Sequence, residues 1–314
     1  MILSASRRTD IPAFYSEWML NRLREGYVLV PNPRNSFRYS QVELTPEAVD
    51  CIVFWTKNPA PMLLKLHEIS SMGYPFYFQF TITPYGRNIE PNLPPKKDLL
   101  KTFQVLSNLL GPNRIVWRYD PVILTETMDI SYHLRCFEQM AAALEGYTHR
   151  CIFSFLDLYP KVKRPLSGIS PQEIQTPDML QIARGFSEIA QKYRLRLFTC
   201  SEAIDLIRFG IEHSSCIDAG MIEDILGCSI RIKKDANQRL NCRCIESVEI
   251  GTYDCCPHGC CYCYAASSTA AIHKNVALHD SRSPVLIGKR PDEATVTEKK
   301  MVSVKDWQQQ LFEI

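Results

Sequence analysis

"CCPHGCCYCYAA", residues 255–266, gathers five of the chain's thirteen cysteines into nine consecutive positions. Within it Cys256, Cys260 and Cys263 form C-x3-C-x2-C. Structural zinc modules bring paired C-x2-C knuckles and four ligands, whereas here one interval is three residues long. Three thiolates from one tight loop suit three corners of a [4Fe–4S] cube. The fourth iron then lacks a protein ligand and is open to the amine and carboxylate of S-adenosylmethionine. One electron would then cleave a carbon–sulfur bond and give a 5′-deoxyadenosyl radical. Tyr262, the aromatic residue just before Cys263, belongs to the same pattern.

The rest of the composition frames that loop. The 314 residues suit one large α/β domain or two small ones, and 46% hydrophobic content supports a sizeable core. Thirty-six lysines and arginines nearly balance thirty-four aspartates and glutamates. No global attraction to nucleic acid or an anionic membrane follows from that. No apolar run is long enough to span a membrane, and MILSASRRTD lacks the order of a signal peptide. A cytoplasmic, reducing location is expected, where crowded cysteines are metal ligands rather than disulfides.

Along the chain, short apolar runs alternate with helical patterns. MILSAS, DCIVFWT, FYFQFTIT, RIVWRYDPVIL, CIFSFLDL, LRLFTC and SVEIGTY read as strands buried on both faces. Helical stretches between them end on Gly26, Gly73 and Gly111. Seven strands with crossover helices predict an α/β fold, a partial (β/α) TIM-like barrel. Polar residues follow five strands: Arg7 to Asp10; Thr56 to Asn58; Thr81, Thr83 and Tyr85; Arg118 to Asp120; Asp157, Tyr159 and Lys161. Strand C-termini are where such folds build their sites, so a polar-lined cavity is expected there.

CPHGCCYC resembles the cluster motif of the radical S-adenosylmethionine superfamily. SVEIGTYDCCPHGCCYCYA is similar to that superfamily's first barrel strand and cluster loop. RRTDIPAFYSEWMLNRL resembles the segment after the second strand of spore photoproduct lyase-like members. IVFWTKNPAPML, FQFTITPYGRNIEPNLPP and RIVWRYDPVIL resemble their third, fourth and fifth strands. The whole of residues 1 to about 266 also resembles an uncharacterised bacterial family with SASRRTDIPAFY, FWTKNP and C-terminal CPHGCxYCYA. The cluster strand and loop lie at the C-terminal end instead of opening the barrel, so the resemblance implies a permuted strand order. It implies a [4Fe–4S] cluster, S-adenosyl-L-methionine, and a reductant such as flavodoxin or ferredoxin. Arg8, Thr9, Asp10, Thr56, Lys57 and Tyr262 become candidates for cofactor binding. The superfamily's glycine-glycine-glutamate strand is not visible, and the substrate is not implied.

Cys200, Cys216, Cys242 and Cys244 are the right number for a second, fully ligated cluster or a zinc ion. Cys51, Cys136 and Cys151 read as small buried hydrophobes. Cys228 reads as packing, Cys255 and Cys261 as bystanders, and His258 as a solvent-facing loop residue. Tyr85, Tyr119, Tyr159 or a cavity cysteine would be the hydrogen relay. Residues 1–274 are expected to form the barrel, with its cysteine-rich region at 200–266. Residues 275–314 are expected to be a surface-running tail. Gln308, Leu311 and Phe312 in its terminal DWQQQLFEI resemble a sliding-clamp docking motif. The alternative to an enzyme is a zinc or iron–sulfur protein with a nucleic-acid-linked role.

Overall fold

FYFQFT at 76–81 shows why this chain builds a sheet covered on both sides. Its phenylalanines, Phe76, Phe78 and Phe80, stand on one face, while Tyr77 and Gln79 stand on the other, and all five are buried. The computed structural model describes residues 1–158, 166–239 and 241–306. In chain order its strands are β1 (Ile2–Ala5), β2 (Tyr27–Asn32), β3 (Asn35–Glu43), β4 (Cys51–Thr56), β5 (Phe76–Thr81), β6 (Ile115–Val122), β7 (Arg150–Phe155), β8 (Arg196–Cys200), β9 (Glu212–Ser214), β10 (Val248–Glu249) and β11 (Thr295–Lys299). Its α-helices are α1 (Ile11–Phe14), α2 (Ser16–Glu25), α3 (Leu66–Ser71), α4 (Lys96–Leu110), α5 (Ile130–Leu144), α6 (Thr176–Lys192), α7 (Ala219–Leu226) and α8 (Thr269–Val276).

Eight strands form one sheet in the order β10-β1-β4-β5-β6-β7-β8-β9. Every ladder in it is parallel. The order follows the chain except at one place: β10, the last of these strands in sequence, pairs beside β1 through Leu3↔Val248 and Ser4↔Glu249. The order never reverses. Right-handed crossovers without reversal bring the helices to one face of the sheet. That face carries Phe54, Phe78, Trp117 and Phe153 against Phe103 of α4, Phe137 of α5 and Phe186 of α6. The Trp117, Phe137 and Phe186 rings stack in series, with centroids 4.9 and 4.0 Å apart. The opposite face is apolar at its N-terminal end, where Ile2, Val53, Tyr77, Val116 and Ile152 pack against Met221 and Ile222 of α7. Among the described residues no ladder joins β9 to β10, so the sheet is open.

Three features were not read from the sequence. β9 is only three residues long. β2 and β3 form an antiparallel hairpin, and β11 adds to β3 in parallel from Thr295↔Arg38 to Lys299↔Val42. Pro31 argues against a central strand but is tolerated at an edge, which is where β2 lies. The 275–300 stretch, expected to run over the surface, is held to α2. Trp18 Nε1 donates to Ser283 O at 2.9 Å, and Asn21 Nδ2 and Arg22 Nη2 donate to Ser281 O and Arg282 O, both at 3.0 Å. Tyr159 and Lys161 lie outside the described residues, as does the segment with Gln308, Leu311 and Phe312.

Gly251 sets how closely β10 and the β1 loop approach. A Cβ there would lie 1.8 Å from Ser6 Oγ and 2.5 Å from Ser6 Cβ. Gly251→Ala must therefore prise the two segments apart. The expected cost is about 1–3 kcal/mol of stability in urea unfolding, and an unchanged midpoint would contradict this close packing.

Candidate functional site

The C-terminal ends of the sheet strands surround a cavity of about 490 Å³. On the face opposite the helices, side chains turn polar toward that end, with Ser6, Thr81, Arg118, Asp120 and Ser154 on the cavity wall. The loop after β10 closes one side and contributes Cys256, Cys260 and Cys263. Its shape is fixed by bonds that do not use those thiols. Cys261 N–H donates to Ile89 O at 3.0 Å, Asn92 Nδ2 donates to Pro257 O at 2.7 Å, and the Tyr15 hydroxyl donates to Cys255 O. Gly259 takes a left-handed conformation, φ 69°, where a side chain would also press on Pro91.

Asp10 joins the loop to two strand ends. It caps α1 by accepting from Ala13 N–H at 3.0 Å, accepts from Lys57 N–H at 2.6 Å, and hydrogen-bonds His258 Nε2 at 2.8 Å. His258 is only 3% exposed. Its expected solvent-facing position is corrected: a carboxylate 248 positions earlier in the chain draws it inward. Its Nδ1 is buried with no hydrogen-bond partner.

A second network centres on Glu90, a residue with no sequence motif to mark it. Glu90 receives hydrogen bonds from Lys57 Nζ at 2.7 Å and Thr83 Oγ1 at 2.8 Å, and also from Lys96 and the Tyr262 hydroxyl. Lys57 lies over the Tyr262 ring, 5.3 Å from its centroid. Burial would raise the Glu90 carboxyl, but Lys57 and Lys96 outweigh it and hold it down to about 2. Lys57 is raised: burial lowers it, yet Glu90 and Cys260 prevail.

All six residues picked out for cofactor contact line this cavity. Their present partners differ. Arg8 donates to Gly251 O at 3.3 Å and sits 4.8 Å from the Tyr253 ring centroid. Thr56 Oγ1 accepts from Asn58 N–H at 3.0 Å, and Thr9 is buried. Tyr85 and Tyr119 are committed elsewhere. The Tyr85 hydroxyl donates to Pro121 O at 2.6 Å and accepts from Ile123 N–H at 2.8 Å, while that of Tyr119 bonds His133 Nδ1 at 2.8 Å.

The three loop thiols are half-buried on one side of the cavity. Cys256 is pushed well up by burial, then by Asp10 and by its two neighbours Cys263 and Cys260. Cys260 is pushed up to about 12 by burial, with Lys57 pulling the other way. Crowded, half-buried thiols resist ionising until a cation shares the site. Among the described residues no three His, Cys, Asp or Glu side chains already surround a common point. A cube differs in that each thiolate meets a separate iron at its own corner. Cys256, Cys260 and Cys263 all line the cavity wall, in the same loop as the unpartnered Nδ1 of His258. Cys255 and Cys261 turn away: their thiols donate to Thr252 O at 2.9 Å and Asn88 O at 3.6 Å. Cys51 and Cys151 are buried, and Cys136 and Cys228 are half-buried.

The far wall is made of β6 to β8 and carries the remaining charges. Arg118, 4% exposed, pairs with Asp120, which also accepts from the Ser154 hydroxyl. Glu202 accepts from Phe155 N–H at 2.9 Å. Burial pushes its carboxyl up to about 7, against that hydrogen bond and with Asp157 and Asp120 adding to the rise. Neither the Glu202 carboxylate nor Ser154 carried a sequence signal. Cys200, Cys216, Cys242 and Cys244 also meet on this side. The sulfurs of Cys200 and Cys216 are 2.9 Å apart, Cys244 touches Cys216, and Cys242 touches Cys244.

Among the described residues no helix is long and apolar enough to cross a membrane. No curated protein and no solved structure matches the chain. The model of one family, described as "Domain of unknown function (DUF1848)", matches residues 2–265, from β1 through the cysteine loop. With that match covering most of its length, the chain belongs to this family of unknown function.

Proposed function

We propose that this protein is a radical S-adenosylmethionine enzyme built on a permuted partial barrel. The observation that carries this reading is the position of the C-x3-C-x2-C loop. It follows a strand that pairs in parallel beside β1, and it places three thiols on the cavity wall at the strand C-termini. When bound there, a [4Fe–4S] cluster supplies an open iron for the amine and carboxylate of S-adenosylmethionine and the electron that generates a 5′-deoxyadenosyl radical. An external donor such as flavodoxin or ferredoxin would deliver that electron.

The chain's own residues hold and shield the reaction space. Lys57 places a fixed cation beside Cys260, which favours its thiolate. Glu90 fixes Lys57 and the Tyr262 hydroxyl at once, so strand β4 and the cysteine loop keep one relative position. Asp10 does the same for His258 and the Lys57 backbone. A cavity of about 490 Å³ lies within the range of small-molecule sites. Arg118, Asp120 and Glu202 on the far wall offer a cation, an anion and a titratable acid to a polar substrate.

Anaerobic reconstitution with iron and sulfide tests the cofactor assignment. The expected result is a brown protein whose reduced-state electron paramagnetic resonance spectrum changes when S-adenosylmethionine is added. A spectrum indifferent to S-adenosylmethionine at saturating concentration would refute the open-iron reading.

A further inference from the structure

The structure assigns Cys200, Cys216, Cys242 and Cys244 to a single metal ion, which we propose is zinc held in a closed tetrathiolate site. The four residues come from three separate places: the end of β8, the segment just after β9, and a C-x-C pair shortly before β10. Sequence proximity cannot explain their meeting. Cys200 and Cys216 sulfurs lie 2.9 Å apart, and contacts continue from Cys216 to Cys244 and from Cys244 to Cys242. All are free thiols, and three of them are buried.

Spacing decides between one ion and a cube. Zinc–sulfur bonds of about 2.3 Å in a tetrahedron set the sulfurs about 3.8 Å apart. Thiolates of a four-iron cube bind different irons at different corners and cannot touch. The Cys200 and Cys216 sulfurs, 2.9 Å apart, reach the single-ion spacing by parting about 1 Å, which swings of the side chains supply. The four thiols do not surround a central gap at present. A tetrahedral all-sulfur site belongs to zinc or iron, and four protein ligands leave no open position for chemistry.

The surroundings are built as a support for such a site. Arg118 Nη1 donates to Cys216 Sγ at 2.8 Å, and Ile217 N–H donates to Cys244 Sγ at 3.4 Å. Donors to sulfur of this kind orient metal-bound thiolates and offset their charge. The Cys216 carbonyl is clamped by Tyr77 and Gln79, at 2.9 and 2.8 Å. Ser215 Oγ donates to Arg243 O at 2.6 Å, and Ile245 N–H donates to Ile217 O at 3.2 Å. These bonds stitch the segments bearing Cys216 and the C-x-C pair together. An ion here ties the end of β8 to the stretch that leads into β10, and thereby steadies the strand that carries the cysteine loop. The proposal stands whether or not that loop binds iron.

Metal content and zinc-edge X-ray absorption of the full chain test it. The purified protein is expected to hold about one zinc, with four sulfur neighbours at about 2.3 Å. That zinc should persist when Cys256, Cys260 and Cys263 are all replaced by alanine, and fall to near zero in Cys216→Ser/Cys244→Ser. If the double variant fails to fold, the absorption spectrum of the unmodified protein decides alone. Nitrogen or oxygen neighbours would overturn the proposal. So would iron in zinc's place, a loss of about four irons from the double variant, or a metal-free protein with all four thiols open to titration.

Discussion

Replacing Cys256, Cys260 and Cys263 together by alanine is expected to remove about four irons per reconstituted chain and to reduce 5′-deoxyadenosine formation to background. The fold should survive. The loop is shaped by main-chain and side-chain bonds from Ile89, Asn92 and Tyr15, none of which involves a thiol of the three. Circular dichroism and the urea midpoint should therefore stay near those of the unmodified protein, separating loss of cofactor from loss of structure. Iron content unchanged in the triple variant would place the cluster elsewhere.

Glu90→Ala is expected to be the most damaging single substitution among the polar residues of the site. The carboxylate is fully enclosed, and its removal strands Lys57, whose side chain is only 15% exposed, without its counter-charge. Breaking a buried pair in this way costs about 3–5 kcal/mol, readable as a lower urea midpoint at constant slope. Glu90→Gln keeps hydrogen-bonding capacity for Thr83 and Tyr262 but not the charge, and should fall between the two. The pH dependence has a definite sign. The Glu90 carboxyl is held down to about 2, below its ordinary 4.5. Its contribution is present above the ordinary value and is lost as pH falls toward the depressed one. Stability should thus drop by about 3 kcal/mol between roughly pH 5 and pH 2 through this group. Glu90→Gln should flatten that part of the profile. An unaltered acid limb in the variant would show that Lys57 and Glu90 are not coupled in solution.

Local and strongly patterned features were the legible ones. Six of the seven apolar runs form strands whose two faces are covered, which leaves an unbroken hydrophobic signature, while SVEIGTY gives only the two-residue, half-buried edge strand β10. The cysteine spacing is readable because all three thiols come from one loop. The placement of SVEIGTY beside MILSAS rests on resemblance, and β1 and β10 pair in parallel there. What escaped the sequence depends on long-range partners. Glu90 sits in an ordinary-looking RNIEPN loop, and its weight comes from Lys57, Lys96, Thr83 and Tyr262. His258 is buried only because Asp10 meets it. The 281–283 stretch docks through backbone carbonyls, which leave no side-chain periodicity. β9 pairs through three residues of no strong β-propensity, Glu212, His213 and Ser214.

The decisive measurement is 5′-deoxyadenosine production by the reconstituted, dithionite-reduced full chain supplied with S-adenosylmethionine under anaerobic conditions, followed by mass spectrometry. Formation of 5′-deoxyadenosine and methionine above the level of the triple-alanine variant is the expected result. A protein that holds about four irons yet leaves S-adenosylmethionine intact under these conditions would contradict the assignment of this cavity to radical chemistry.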